Sequence, residues 1–151
     1  GETMGPQTIA TNGIEFGEVC LDDKLCLKCW DFSGKPSYQF THEYFLSDDG
    51  IYLLVFNLSE PFSCISEQLT YWLTLISQRV PSSQVLLIGT HASLISDSLQ
   101  SEQIERTRDF LATSSFERLL VKEEGSVAGM KVANVVVVDS LSGKGRVEAK
   151  K

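Results

Sequence analysis

The chain has few histidines, no excess of basic residues and no long apolar run. Its 151 residues include two histidines, His42 and His91, and 13 lysines and arginines against 20 acids, a net charge of −7. That balance excludes a general grip on nucleic acid or on an anionic membrane, both of which need basic surface. It leaves room for a small anion, because loop amides and one lysine can hold a phosphate inside an acidic protein. No stretch reaches the roughly 18 apolar residues of a membrane span, and residues 1–13 lack the charged and apolar regions of a secretion signal. The two histidines have no cysteine or carboxylate at ligand spacing, so a zinc-type site is not expected. His42 reads as a packing or surface residue. Ser33, Ser37 and Ser63 sit in no G-x-S-x-G elbow, which argues against an α/β-hydrolase.

Cysteine is also scarce: Cys20, Cys26, Cys29 and Cys64. Cys26 and Cys29 have the C-x-x-C spacing of metal and redox sites. They fall inside a strand-like run, where residues three apart point to opposite faces, and no second C-x-x-C follows. Ordinary reduced thiols are the expectation, in keeping with a cytoplasmic protein.

What is present is an ordinary globular composition, 42% hydrophobic and 22% charged, at a length that suits one domain with a core. Ile14 to Leu21 and Leu25 to Phe32 read as a hairpin around Asp22, Asp23 and Lys24. Residues 33–50 mix polar and aromatic groups, as a long loop or irregular helix. Three short apolar runs, Ile51–Asn57, Gln84–Gly89 and Ala133–Val138, have the look of strands covered on both faces. Between them, Ser66–Arg79 places Leu69, Trp72, Leu73 and Ile76 on one helical face and ends before Pro81; Gln103–Leu111 does the same with Ile104, Thr107 and Leu111. Residues 122–130 read as a loop, and a polar basic tail runs from Ser140. Buried runs alternating with helices predict an α/β layer fold with a mostly parallel sheet, the hairpin adding an antiparallel edge.

Ligands of such sheets sit beyond the carboxyl ends of the strands, and three strand ends carry unusual residues. Asp31 and Gly34 lie at the end of the hairpin's returning strand; a carboxylate can hold magnesium through water, and a glycine lets a backbone N–H approach a phosphate. An acid and a glycine at this spacing also occur in common turns. Thr90 and His91 follow the second apolar run and could frame a planar base, or open a helix capped by Ser93 or Ser96. Asp139 and Ser140 follow the third, in a glycine-containing turn whose amides could reach a base edge. Tyr38, Phe40, Tyr44 and Phe45 form an aromatic group behind Gly34 that either packs the loop or meets a partner.

Trp30-Asp31-Phe32-Ser33-Gly34, followed by Thr41-His42 and Tyr44-Phe45, resembles the "WDFxG…THxxF" stretch of Roc domains in the Roco family, within the Ras-like GTPases, as in leucine-rich-repeat kinases and death-associated protein kinase. Tyr52–Leu58, Tyr71-Trp72-Leu73, and Leu87–Ala92 beside the family's "VGTHxD" extend the likeness, as does Thr11–Ile14 beside the switch I "TxGI". The resemblance implies a three-layer Ras-like P-loop NTPase fold over residues 1–151, with residues 1–13 like switch I and 33–50 like switch II. It implies guanine nucleotide (GTP or GDP) and Mg2+ as cofactors. Thr11 and Asp31 would meet the metal. Thr11, Gly34, Thr90, His91, Asp139 and Ser140 would meet the nucleotide. It further implies slow GTP hydrolysis in an intact parent of several domains, and pairing through a Roc-like surface.

The departures are specific. No G-x-x-x-x-G-K-[ST] occurs, so the phosphate cradle, its lysine and its magnesium hydroxyl are missing. Ser93 stands where the family has the aspartate that pairs with guanine, and Lys35 where Ras-like proteins orient water with glutamine. The expectation is a domain truncated at both ends, or a degenerate copy, that does not hold GTP tightly alone. The alternative is a non-catalytic interaction or dimerisation module. An incomplete sheet would expose apolar surface and favour self-association.

Overall fold

The computed structural model describes residues 11–20, 24–48, 50–121 and 135–139, the side chains of Pro36, Gln39 and Phe40 excepted. The expectations for residues 1–10, the hairpin turn at Asp22 and Asp23, the side chain of Phe40, the 122–130 loop, Ser140 and the tail lie outside the described residues. The chain divides into two compact units, Gly1–Leu46 and Ser47–Lys151.

In the first unit, β1 (Ile14–Cys20) and β2 (Cys26–Phe32) pair antiparallel over seven residues, from Ile14 opposite Phe32 to Cys20 opposite Cys26. Directly opposed residues share a face. One face therefore holds Ile14 and Phe32, Phe16 and Trp30, Glu18 and Lys28; the other holds Glu15 and Asp31, Gly17 and Cys29, Val19 and Leu27. Gly13 enters β1 at φ +78, a left-handed conformation that favours glycine, and its carbonyl accepts from the Ser33 amide at 2.9 Å. The expected irregular helix is found over residues 36–45: 3-10 turns at Pro36–Tyr38 and Glu43–Phe45 flank α1 (Gln39–His42). Rings stitch this segment to the hairpin edge-on, Trp30 to Phe45 at 5.7 Å and Phe32 to His42 at 5.3 Å, and Phe16 meets Trp30 at 5.1 Å across the hairpin itself.

The reduced state expected for all four cysteines is corrected here. Cys20 and Cys26 are joined as a disulfide, and Cys29 and Cys64 are free. The C-x-x-C spacing drew attention to the wrong pair. Hairpin register sets Cys20 against Cys26, while Cys29 faces Gly17 on the other side.

The second unit contains β3 (Ile51–Asn57), α2 (Phe62–Arg79), β4 (Gln84–Thr90), α3 (Asp97–Ala112) and β5 (Val135–Val137), with the strands parallel in the order β3-β4-β5. The strand order advances one way, so right-handed crossovers place α2 and α3 on the same face. Burial alternates to match. Leu54 and Phe56 of β3, Val85 and Leu87 of β4, and Val135 point into a core with Ile65, Leu69, Leu73 and Ile76 of α2. On the opposite face Ile51, Leu53 and Val55 are exposed.

Local chemistry sets the helix limits. α2 starts at Phe62, earlier than its apolar spacing suggests. Pro61 lacks only an N–H that a helix start leaves unpaired, and its carbonyl accepts from the Cys64 and Ile65 amides at 2.9 and 3.3 Å. Pro81 follows the last turn, as expected. α3 likewise begins before its apolar stripe, where the Ser96 hydroxyl caps it by accepting from the Leu99 amide at 3.3 Å. Gln103 takes the deep position adjacent to Ile104, and its side-chain amide donates to the Glu60 carbonyl at 2.9 Å. Arg106 lies 4.5 Å over the Phe62 ring and ties the two helices further.

The architecture is thus mixed α/β, a parallel three-stranded sheet with crossover helices and an antiparallel hairpin, the class expected for a Ras-like domain. Among the described residues no helix is long and apolar enough to cross a membrane.

Candidate functional site

Two groups of predicted residues come together, one in each unit. In the first, the Thr11 hydroxyl donates to a carboxylate oxygen of Asp31 at 2.7 Å. These residues stand 20 apart in sequence, joined by the hairpin that runs out from Thr11 and returns to Asp31. Asp31 is exposed; it is not consumed by a core. Beside them the Lys35 ammonium donates to the Asn12 side-chain oxygen at 2.7 Å, and the buried Ser33 hydroxyl accepts from the Lys35 amide at 3.2 Å. Gly34 is exposed, and a Cβ there would meet nothing within 4 Å. Neither left-handed backbone nor crowding requires glycine at this position.

His42, read as packing or surface, is a packing residue with 0% exposure. Loss of water around it pushes its pKa below the ordinary imidazole value, favouring the neutral ring.

The second group lies at the carboxyl ends of β3 and β4. The Leu58 amide donates to the Thr90 carbonyl at 3.0 Å, and the Thr90 hydroxyl donates back to the Phe56 carbonyl at 3.1 Å. Thr90 Oγ1 also lies 3.0 Å from His91 Nδ1. His91 adopts φ 60, ψ 26, the one non-glycine residue with positive φ among those described. Such conformations are uncommon and often mark binding sites. Its exposed ring stands at the start of the 3-10 turn Ala92–Leu94. Asp139 is buried just past β5, and the Val138 amide donates to the Gly89 carbonyl at 2.9 Å. Gly89 is needed for closeness: a Cβ there would fall 2.8 Å from the side chain of Leu58.

Sequence reasoning passed over Asn12 and Asn57. Asn12 fastens Lys35. The Asn57 side chain turns the chain at the tip of β3, accepting from the Ser59 amide at 2.9 Å and the Ser59 hydroxyl at 2.7 Å. An asparagine two residues before a serine at a strand end is a recognisable turn signal. Among the described residues no three His, Cys, Asp or Glu side chains cluster as a metal cage. The oxygen pair at Thr11 and Asp31 is instead the donor type that magnesium takes while keeping most of its waters.

Comparison with known proteins agrees with the fold class. The family described as "Ras of Complex, Roc, domain of DAPkinase" matches residues 1–93. Two curated relatives from Dictyostelium discoideum are similar across nearly the whole chain. The probable serine/threonine-protein kinase roco11 is 29% identical over 95% of this chain and 9% of its own length. The probable serine/threonine-protein kinase qkgA is 28% identical over 95% of this chain and 8% of its own. Leucine-rich repeat serine/threonine-protein kinase 1 of Mus musculus is 30% identical over 54% of this chain and 4% of its own. The chain thus spans less than a tenth of each of these relatives. A parallel sheet with crossover helices, an antiparallel hairpin and this family match agree: the chain belongs to the Roc family of the Roco proteins, Ras-like and GTPase-like in kind.

Proposed function

We propose that the chain serves a guanine-nucleotide switch, as one domain of a larger multidomain protein of the cytoplasm, and does not hold GTP tightly by itself. The observation that carries this reading is the meeting of the Thr11 hydroxyl with the Asp31 carboxylate at 2.7 Å on the open end of the hairpin. Both are hard oxygen donors, and Asp31 is exposed to solvent. They would hold Mg2+, which when bound supplies charge neutralisation for the phosphates. Gly34, exposed three residues after Asp31, is the residue that would approach the terminal phosphate. Thr90 and His91 would frame the base at the rim of the parallel sheet, with His91 held in its unusual conformation for that contact, and the family likeness assigns Asp139 and Ser140 to the same base. Residues 1–13 and 33–50 would be the switch I-like and switch II-like segments of one Roc-like domain.

Two features limit affinity. The sequence has no G-x-x-x-x-G-K-[ST], and Ser93 replaces a charged bidentate acceptor whose loss costs about 1.5–3 kcal/mol. Calorimetry with GDP and Mg2+ tests the reading, on this chain and on a version extended at its amino terminus within the parent protein. Weak binding to the first and tight binding to the second, reduced by Asp31→Asn, is expected. Tight binding to neither ends it.

A second reading is favoured by particular exposed side chains. Phe16 and Trp30 on the hairpin, and Ile51, Leu53 and Val55 on β3, are large apolar groups left in water. Either set, taken within its own unit, would serve as a non-catalytic docking or dimerisation surface. Light scattering of the purified chain checks it: self-association that Leu53→Lys or Trp30→Ser weakens is expected, and a monomer at all concentrations refutes it.

A further inference from the structure

Cys20 and Cys26 form the last pair of the β1–β2 ladder, directly opposite each other beside the turn. Both are exposed, so a small disulfide or thiol reaches them from solvent. Their choice of partner is fixed by geometry. Cys29 belongs to the other face, opposite Gly17, and its thiol is turned toward the Leu27 carbonyl at 3.8 Å. Cys64 belongs to α2 in the other unit.

The hairpin depends on what closes its ends. Apart from Ile14 and Phe32 at the open end, every residue of its two strands is exposed, and a two-stranded ladder with so little burial is marginal in water. At the open end it is held by the Thr11–Asp31 bond and by the Ser33 amide on the Gly13 carbonyl. At the turn end it is held by the sulfurs.

We infer that Cys20 and Cys26 are a redox-sensitive clip, closed and opened by thiol–disulfide exchange with a small disulfide–thiol couple such as glutathione. In closing, the Cys20 thiolate attacks a sulfur of oxidised glutathione and expels one glutathione thiolate. The Cys26 thiolate then attacks the mixed disulfide at the Cys20 sulfur and expels the second. Two cysteine thiols lose two protons and two electrons; one glutathione disulfide gains them as two thiols. Opening is the reverse. Because the ladder is continuous from Cys20 and Cys26 to Glu15 and Asp31, opening the clip loosens the register that sets Asp31 against Thr11. Closing a ring of about seven residues favours the paired hairpin about 50-fold, by the loop-closure entropy removed from the open state.

The test equilibrates the full chain in glutathione buffers from fully reduced to fully oxidised. Free thiols are then alkylated and read by mass spectrometry, while hydrogen exchange follows the amides of β1, β2 and Ser33. In oxidising buffer Cys29 and Cys64 should each carry an alkyl group while Cys20 and Cys26 carry none. Hairpin amides, Ser33 included, should exchange about 50-fold more slowly than in reducing buffer. A Cys20→Ser, Cys26→Ser double variant should lose the redox dependence and exchange at the fast rate in both buffers. The inference is overturned if Cys26 pairs with any cysteine other than Cys20, or if both stay alkylatable throughout. It is equally overturned if exchange differs by less than about threefold between the two states, well below the loop-closure expectation.

Discussion

β1 with β2, and β3 with β4, are both ladders of seven residue pairs. The first buries almost nothing; the second carries a core. The difference lies in how the strands are joined. An antiparallel pair needs only a tight turn, and the turn brings no apolar surface with it. A parallel pair needs a crossover, and the crossover here is α2, which arrives with Ile65, Leu69, Leu73 and Ile76 already on one face. Backbone pairing is thus similar in the two ladders while side-chain burial is not, and burial is the dominant favourable contribution. Truncation exposes the contrast most directly. Phe56→Ala, at 2% exposure, should destabilise the chain by about 3–5 kcal/mol, whereas Phe16→Ala, at 65%, should change it by about 0.5 kcal/mol or less. Urea unfolding of both variants checks this. Comparable losses would mean that the hairpin is covered in solution by a surface the chain finds elsewhere.

Close packing in the second ladder gives the next largest effect. The space that a Cβ at Gly89 would need is filled by Leu58, itself wholly buried, at 2.8 Å. Gly89→Ala should cost about 1–3 kcal/mol through overpacking. Gly17→Ala offers the hairpin counterpart: no atom lies within 4 Å of a Cβ there. The same urea experiment should find Gly17→Ala neutral or slightly stabilising, since alanine lowers the entropy of the unfolded chain. Smaller again is the helix cap. Ser96→Ala removes the acceptor for the Leu99 amide and should cost about 1 kcal/mol, read as a lower thermal midpoint, with Ser96→Asp restoring most of it.

The same contrast governs how much could be read in advance. β3, β4 and β5 were legible because a strand buried in a parallel sheet is a short unbroken apolar run. The hairpin was legible from its turn residues. The starts of α2 and α3 were not: Pro61 looks like a breaker and works as a first-turn residue, and Gln103 is buried because a carbonyl 43 residues away accepts its amide. Cys20 and Cys26 could have been paired from the two flanks of the expected hairpin, but the Cys26–Cys29 spacing was the louder pattern. The proximity of Thr11 to Asp31, 20 residues apart, was suggested by family likeness; no periodicity in the chain specifies it.

The smallest effect expected is a pH effect confined to the first unit, and it sharpens the comparison by asking whether that unit has any core at all. His42 is fully buried with its ring edge-on to Phe32 at 5.3 Å. Burial lowers its folded pKa below 6.5, the value taken for the unfolded chain. The unfolded state therefore binds the proton more readily, and the stabilisation is complete above pH 6.5. It is lost as pH falls through the folded pKa. Hydrogen exchange of the Phe32 and Ser33 amides should accelerate on acidification across that window once the intrinsic pH dependence of exchange is removed, while amides of β4 hold steady. His42→Phe should abolish the acceleration and keep the packing against Phe32. If the wild-type amides show no such trend, or β4 follows them, then the ring is hydrated in solution or the two units open together, and the first unit has no separate core at His42.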